Sequence, residues 1–228
     1  MNTVELKVDL TDLPVRMAHL PIDPQRRIPV PWFVAWVDGK PEFRAMDARK
    51  WRQAVNERLC WTCGQRLGVH QTFVLGPMCA ITKTTSEPPN HRECARWSAC
   101  NCPFLSRPHM HRREAGMPEE AQAPAGMSIP RNPGAVALWT TRSYELFDDG
   151  DGKPLIKVGP LESLENLEWY AEGRMATLAE VRHSVDTGLP ILLEVAEREG
   201  PKAVKDLQDR VALFEMLLPG ERKHGIGG

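Results

Sequence analysis

Hydrophobic and polar residues alternate along the chain in a way that predicts a mixture of strands and helices. An apolar run over residues 32–37 is followed by an Asp-Gly pair and a second β-prone run, which is typical of a β-hairpin. Because the first run is apolar throughout, we expect its strand to be buried on both faces. Two more hairpins are predicted, over 72–82 around a Gly-Pro pair and over 143–158 around an acidic turn, and residues 135–139 read as another strand.

Helical periodicity and capping residues predict helices in both halves of the chain. Asp47 suits the N-cap of a helix that ends near Leu59, and the proline before Asn90 suits the start of a helix that ends near 102. Thr177 and Glu180 have the spacing of a capping box. Four helices are predicted in the second half, the last two packed as a hairpin: 161–171, 177–188, 190–200 and 201–218.

Proline and glycine divide the chain into parts. Residues 11–31 contain five prolines, so we expect an extended, irregular segment there. Residues 107–134 contain five more and little apolar content, which is typical of a linker. We therefore predict an α+β protein with an N-terminal half, 1–106, and a C-terminal half, 135–228, that carries a β-hairpin and then helices.

The net charge of −1 conceals an uneven distribution. Residues 1–113 hold 17 lysines and arginines against 10 acidic residues, a net charge of +7, and the remainder carries −8. Three interpretations follow: the halves attract each other, the basic half faces an acidic partner such as nucleic acid, or both are solvated faces of one domain.

The ends of the chain and its apolar runs indicate a cytoplasmic protein without membrane contact. The first 14 residues carry three carboxylates and lack the apolar run of a signal peptide. The longest uncharged stretch, 67–82, is too short to span a bilayer. In a reducing compartment, clustered cysteines are better interpreted as metal ligands than as disulfides.

All six cysteines lie between positions 60 and 102, and four residues among them have the spacing of a metal site. Cys60-x-x-Cys63 is followed by a glycine that permits a tight turn, and His91-x-x-Cys94 would place two ligands on one face of a helix. Three thiolates and one imidazole suit a tetrahedral Zn²⁺. Such a site is closed to water, so we expect it to be structural and not catalytic.

The remaining cysteines leave alternatives open. His91 is the least certain of the four ligands by spacing, and Cys79, Cys100 or Cys102 could replace it. A second metal site could also combine Cys100 and Cys102 with His109 and His111, although spare or buried thiols are the better interpretation.

The order of knuckle, hairpin and ligand-bearing helix resembles the treble-clef zinc fold over about 60–103, just under a fifth of the chain. Some treble clefs are His-Asn-His nucleases, which place catalytic residues around an open metal. Here His70 and Asn90 lie near the corresponding elements, but no second histidine follows on the helix. The nuclease pattern is therefore not met.

The whole chain is also similar to uncharacterised proteins encoded by bacterial viruses and prophages. That resemblance implies a phage origin and no particular activity. Its residues are Pro29-Val30-Pro31-Trp32-Phe33-Val34, Cys60-Trp61-x-Cys63-Gly64, Gly76-Pro77-Met78, Glu87-Pro88-Pro89-x-His91-x-x-Cys94-Ala95, Cys102-Pro103-Phe104-Leu105, and the segment from Glu168-Trp169 to Ala176-Thr177.

Basic and aromatic residues surround the predicted zinc module. They are candidates for phosphate contacts and base stacking, although the tryptophans could equally pack on the zinc core: Arg66, Lys83, Arg92, Arg96, Trp61 and Trp97. We therefore expect a zinc-stabilised binding or regulatory protein whose partner is nucleic acid or a host protein. The alternative is an enzyme, a nuclease or another hydrolase or transferase, that uses zinc only as a scaffold around a pocket between the halves.

Overall fold

The computed structural model describes residues 10–108, 110–111, 131–148 and 154–219, and it confirms the α+β class. The strands are β1 (Val34–Val37), β2 (Lys40–Met46), β3 (Gln71–Leu75), β4 (Thr84–Thr85), β5 (Val136–Thr141), β6 (Tyr144–Asp148), β7 (Pro154–Val158), β8 (Leu164–Ala171) and β9 (Arg174–Met175). The helices are α1 (Ala48–Glu57), α2 (Pro77–Thr82), α3 (Arg92–Asn101), α4 (Pro103–Ser106), α5 (Leu178–Glu199) and α6 (Pro201–Phe214).

A four-stranded antiparallel sheet, in the order β3-β5-β8-β9, lies at the centre. Strand β3 precedes the segment 107–134 in the chain, and β5 and β8 follow it, so strands from both halves share this sheet. The residues of 107–134 that the structure describes include His111 and Arg131, which form an antiparallel bridge. Most of the predicted linker, from 112 to 130, lies outside the described residues.

Helices cover both faces of the central sheet. Alternate side chains of β3, β5 and β8 pack with α2, α5 and α6 on one face and with α3 on the other. Strand β5 is consequently buried at all six positions, which explains the apolar run over its first four residues. The residues on the α2/α5/α6 face are Phe73, Leu75, Ala137, Trp139, Trp169 and Ala171, and those on the α3 face are Val74, Val136, Leu138 and Tyr170.

Two of the three predicted hairpins form. Strands β1 and β2 pair through Asp38 and Gly39, whose φ angles are 48° and 72°, as a tight hairpin turn requires. Strands β6 and β7 also pair, and β4 extends them into a three-stranded sheet. The expectation that β1 is buried on both faces is wrong, because Trp36 is 47% exposed.

The hairpin predicted over 72–82 does not form. Residues 71–75 make β3, but Gly76 is the N-cap of α2 and Pro77 occupies the first helical position, where a missing N–H costs nothing. Strand β3 pairs with β5, which lies more than 60 residues away in sequence, and not with the next segment of the chain. The assignment of the module to the treble-clef group stays a prediction.

The prediction of a helix over 161–171 is also wrong. A 3₁₀ turn, Leu161–Ser163, leads into β8, which pairs along its length with β5. Glu172 and Gly173 both have positive φ and turn the chain into β9. The helical pattern of this segment is overridden because it pairs with β5, a buried strand. Whether a segment forms a strand depends mainly on how its side chains pack against neighbouring strands.

Helix α5 continues through both residues that were predicted to interrupt it, Gly188 and Pro190. A Cβ on Gly188 would lie 2.9 Å from the Met78 sulfur, so this glycine permits α2 to approach α5 closely. The Thr177–Glu180 capping box is confirmed at the start of α5, and Gly200 ends it. Helix α6 begins at Pro201 and packs against α5, as expected.

The other predicted helices are confirmed. Asp47 caps α1 by accepting a hydrogen bond from the Arg49 N–H, and His91 is the N-cap of α3. Within the described residues, no helix combines the length and the apolar character needed to cross a membrane.

Candidate metal centre

A short hairpin-like loop after α1 positions Cys60 and Cys63. Leu59 and Arg66 form an antiparallel bridge across its base, and the Cys60 N–H donates to the Gln65 carbonyl over 2.7 Å. Gly64 has a φ of +73° and donates its N–H to the Cys60 carbonyl, which closes the turn. The two thiols are thus held side by side by backbone hydrogen bonds.

The second ligand pair is delivered by the start of α3. Asn90 forms an isolated antiparallel bridge with Thr72 of β3, which fixes where the helix begins. The Asn90 side-chain oxygen accepts hydrogen bonds from the N–H and the hydroxyl of Thr62, at 2.9 and 2.7 Å. Asn90 therefore ties the helix start to the first cysteine loop.

The four predicted ligands come together in the structure. The ligand atoms of the group lie within 4.8 Å of one another, and all four residues are buried: Cys60, Cys63, His91 and Cys94. The His91 Nδ1 lies 3.4 Å from the Cys63 sulfur and 4.0 Å from the Cys94 sulfur. A tetrahedral zinc ion with ordinary bond lengths would separate a sulfur and a nitrogen ligand by about 3.6 Å. The group is therefore positioned to hold one metal ion.

The imidazole of His91 is oriented by a main-chain contact. Its Nε2 lies 3.1 Å from the Arg66 carbonyl oxygen, which can only accept a hydrogen bond. Nε2 must therefore carry a proton, so Nδ1 is the ring nitrogen that faces the sulfurs and can bind a metal ion once it is deprotonated. This arrangement is typical of metal-binding histidines.

Backbone donors and shifted pKa values indicate that the four side chains share protons unequally, with negative charge favoured on the Cys63 sulfur. The N–H groups of Cys63 and His91 point at the Cys60 sulfur, at 3.5 and 3.4 Å. Hydrogen bonds from Cys60 and Cys94 hold the pKa of Cys63 far below its usual range, and hydrogen bonds with Cys60 and Cys63 raise the pKa of Cys94. Burial opposes the charging of His91, but its hydrogen bonds with Cys60 and Cys63 raise its pKa to about 10. A bound cation would take the place of these shared protons.

The N-terminal segment covers the ligand group. Met17, in the 3₁₀ turn Val15–Met17, is fully buried against it, and Leu20, Leu67 and Trp97 complete a small apolar shell. An ion pair of 2.8 Å between Arg16 and Glu93 ties the segment to α3. This shell keeps water from the sulfurs.

The other cysteines do not join the group within the part of the chain that the structure describes. Burial raises the pKa of Cys79 to about 11 and also raises the pKa values of Cys100 and Cys102, so these thiols stay protonated at neutral pH. Of the second site considered for Cys100, Cys102, His109 and His111, His109 lies outside the described residues.

The four basic candidates do not form one patch. Arg66, Arg92 and Arg96 are exposed on the cysteine loop and α3. Lys83 follows α2, and therefore lies on the side of the central sheet opposite α3. Arg92 makes a two-point contact with Glu168 of β8, at 3.0 and 2.8 Å.

The two candidate stacking residues are buried, and both pack on the protein. Trp61 is 3% exposed and stacks on Phe33 at a centroid distance of 4.8 Å, and Trp97 is 7% exposed beside the cysteines. The nuclease residues are also separated, because His70 pairs with Glu165 whereas Asn90 holds Thr62.

Three contributors to the centre were missed from the sequence. The Arg66 carbonyl acts through the backbone and leaves no sequence signal. Asn90 directly precedes the ligand His91, and that adjacency could have suggested its role. Met17 is an apolar residue within a proline-rich stretch, and its apolar character could have suggested that this segment packs on a buried surface.

No protein-family model, no curated protein and no solved structure matches the chain.

Proposed function

We propose that Cys60, Cys63, His91 and Cys94 bind one structural Zn²⁺. The observation that carries this proposal is the buried group of three sulfurs and one imidazole within 4.8 Å. Thiolate and imidazole are the ligands that zinc prefers, and four protein ligands leave no coordination position for water or substrate. The metal then serves the fold and takes no part in a reaction.

The zinc would connect parts of the chain that share little apolar surface. It joins the loop after α1 to the start of α3, and both carry the N-terminal segment that includes Met17. Metal analysis of the purified, reduced protein tests this proposal, with an expected stoichiometry of one zinc per chain. A metal-free protein that kept its cooperative unfolding in a strong chelator would overturn it.

We further infer that the zinc-stabilised region is a binding surface for the phosphates of a nucleic acid. Arg92 and Arg96 lie four residues apart on α3 and share one exposed face, and the exposed Arg66 follows the cysteine loop. The excess of positive charge in the first 113 residues supports the same partner. Because the tryptophans are buried, the contacts would be to the backbone and would carry little sequence preference.

A titration with a labelled duplex DNA at several salt concentrations tests this inference. The double variant Arg92→Gln/Arg96→Gln removes two cations, and the slope of log affinity against log salt should fall by about two. Glu168→Gln releases Arg92 from its ion pair and should strengthen binding. The matched control is Lys202→Gln/Lys205→Gln on α6, which makes the same charge change on the other side of the sheet.

If both double variants weakened DNA binding equally, the effect would come from net charge alone, and the α3 face would be rejected as the binding surface. Absence of salt-dependent binding would reject nucleic acid and favour a host protein as the partner. The phage origin stays a prediction.

The alternative function, an enzyme with zinc as scaffold, has one observation in its favour, a cavity lined by residues from both halves. Its ten lining residues are apolar or cationic and include neither a carboxylate nor a histidine. Lys83 and Lys157 are the only residues of this lining that could act as a base or a nucleophile, and no carboxylate or histidine accompanies them, so a binding role fits this cavity better than catalysis.

A further inference from the structure

A cavity of about 160 Å³ lies between the end of α2, strand β7 and helix α6, on the side of the sheet opposite α3. Its walls are mainly apolar and aromatic. The uncharged residues that line it are Ala80, Ile81, Trp139, Leu161, Leu213, Phe214 and Leu217. A dry cavity of about 150 Å³ with such walls is large enough to bind benzene.

The three charged residues that line the cavity are all cations: Lys83, Lys157 and Arg210. The Arg210 guanidinium donates to the Thr82 carbonyl over 3.0 Å, which holds it beside the end of α2. Lys157 lies opposite Glu145 in the strand register. Among the described residues, none of the three cations forms an ion pair, so their charge is available to a ligand.

The Trp139 indole lies directly behind these walls and can report on a bound ligand. Its side chain is 0% exposed, so a ligand in the cavity does not contact it directly, but an aromatic ring bound against the wall changes the magnetic surroundings of the indole N–H.

We propose that this cavity is a binding site for a small anion that carries an apolar body about the size of a benzene ring. The ring would pack against Leu161, Leu213 and Leu217, which line the cavity and keep part of their surface exposed. The carboxylate or phosphate would remain at the mouth, where Lys83, Lys157 and Arg210 supply positive charge. The combination of apolar walls and a few polar groups is typical of small-molecule sites. The proposal is independent of zinc and of nucleic acid.

Titration of the full chain with benzoate, phenyl phosphate and neutral benzyl alcohol tests the proposal. Nitrogen–proton NMR spectra report directly on the Trp139 indole, which can be assigned with the variant Trp139→Phe. Both anions should shift this signal saturably, and they should bind about tenfold more tightly than benzyl alcohol. The relative affinity of benzoate and phenyl phosphate identifies which head group the site prefers.

Arg210→Gln should weaken binding of the anions about five- to tenfold and leave benzyl alcohol unchanged. The matched control is Lys202→Gln, which removes a cation from the same helix but not from the cavity. Equal affinity for anions and the alcohol, equal effects of both substitutions, or an indole signal that no probe moves would each overturn the proposal.

Discussion

The cysteine region and the central sheet of this protein are held together by different forces. The sheet places aromatic and aliphatic side chains of β3, β5 and β8 between α3 and the α2/α5/α6 layer, so its stability comes from burial spread over many residues. The cysteine region has only a thin apolar shell, in which Met17, Leu20, Leu67 and Trp97 are the buried residues besides the cysteines. A few polar contacts hold it together, among them the Asn90–Thr62 hydrogen bonds and the Arg16–Glu93 ion pair, and the four side chains of the cysteine–histidine group meet at its centre.

This contrast implies unequal tolerance to substitution. A core stabilised by many contacts loses free energy in proportion to the atoms removed. A metal site loses its function when a single ligand is removed, because the remaining ligands no longer bind the ion tightly. The two regions should therefore respond to different perturbations.

The largest effect should follow removal of a metal ligand. Cys63→Ser should release the metal and cost about 5 kcal/mol, which corresponds to a fall in Tm of roughly 10–20 °C. Hydrogen exchange should show lost protection around 59–67 and 91–95 before any change in β5. The control is Cys100→Ser, which alters a half-buried thiol outside the ligand group. Full zinc occupancy with an unchanged Tm in Cys63→Ser would contradict the assignment.

A large core substitution should give the opposite pattern. The Phe214 ring is 2% exposed and packs edge-to-face on Trp169 at 5.7 Å. Phe214→Ala should reduce the free energy of unfolding by about 3–5 kcal/mol, measured in urea, with zinc content unchanged. Leu213→Ala, at a neighbouring position that is 39% exposed, should cost much less. Loss of zinc in Phe214→Ala would show that the two regions are not energetically separate.

A comparison of two glycines distinguishes the cost of a left-handed backbone from the cost of a steric clash. Gly64 and Gly39 have nearly the same φ, +73° and +72°, but a Cβ on Gly64 would meet the Trp32 ring at 2.6 Å, whereas one on Gly39 meets nothing within 4 Å. Gly39→Ala should cost only the left-handed penalty of about 1–2 kcal/mol. Gly64→Ala should cost more and also weaken zinc affinity, which a competition titration with a chelator measures. Equal costs would mean that the Trp32 ring moves aside freely.

The smallest effect concerns the cap of α5, far from the metal. Hydrogen bonds from Arg174 and from Thr177 lower the pKa of Glu180 to about 2. A carboxyl whose pKa is lowered by folding adds stability above its unfolded pKa of about 4.5, and that stability is lost as pH falls toward 2. Urea unfolding at a series of pH values should show this loss, and Arg174→Gln should reduce it. Arg198→Gln, at the other end of α5, should leave the pH dependence unchanged.

Local sequence was sufficient to predict the four residues of the buried cysteine–histidine group, the β1–β2 turn and the helix caps. Cys60-x-x-Cys63, His91-x-x-Cys94 and the Thr177–Glu180 box each act over three residues, so their geometry follows from spacing alone. The glycine after Cys63 was predicted for the same reason, and its φ of +73° agrees.

Only the tertiary structure decided which segments pair and which patterns are overridden. Residues 164–171 form a strand because β5 offers a buried edge for pairing. Gly188 was expected to end a helix, but it lies inside α5 and lets α2 pack closely against it. Lys83 and Arg92 are both cations and lie nine positions apart in the sequence, yet they are on different sides of the protein because α2 and α3 pack on opposite faces of the sheet. Spacing determines geometry only within a turn or two of the chain, whereas strand pairing and burial are chosen by contacts between residues far apart in sequence.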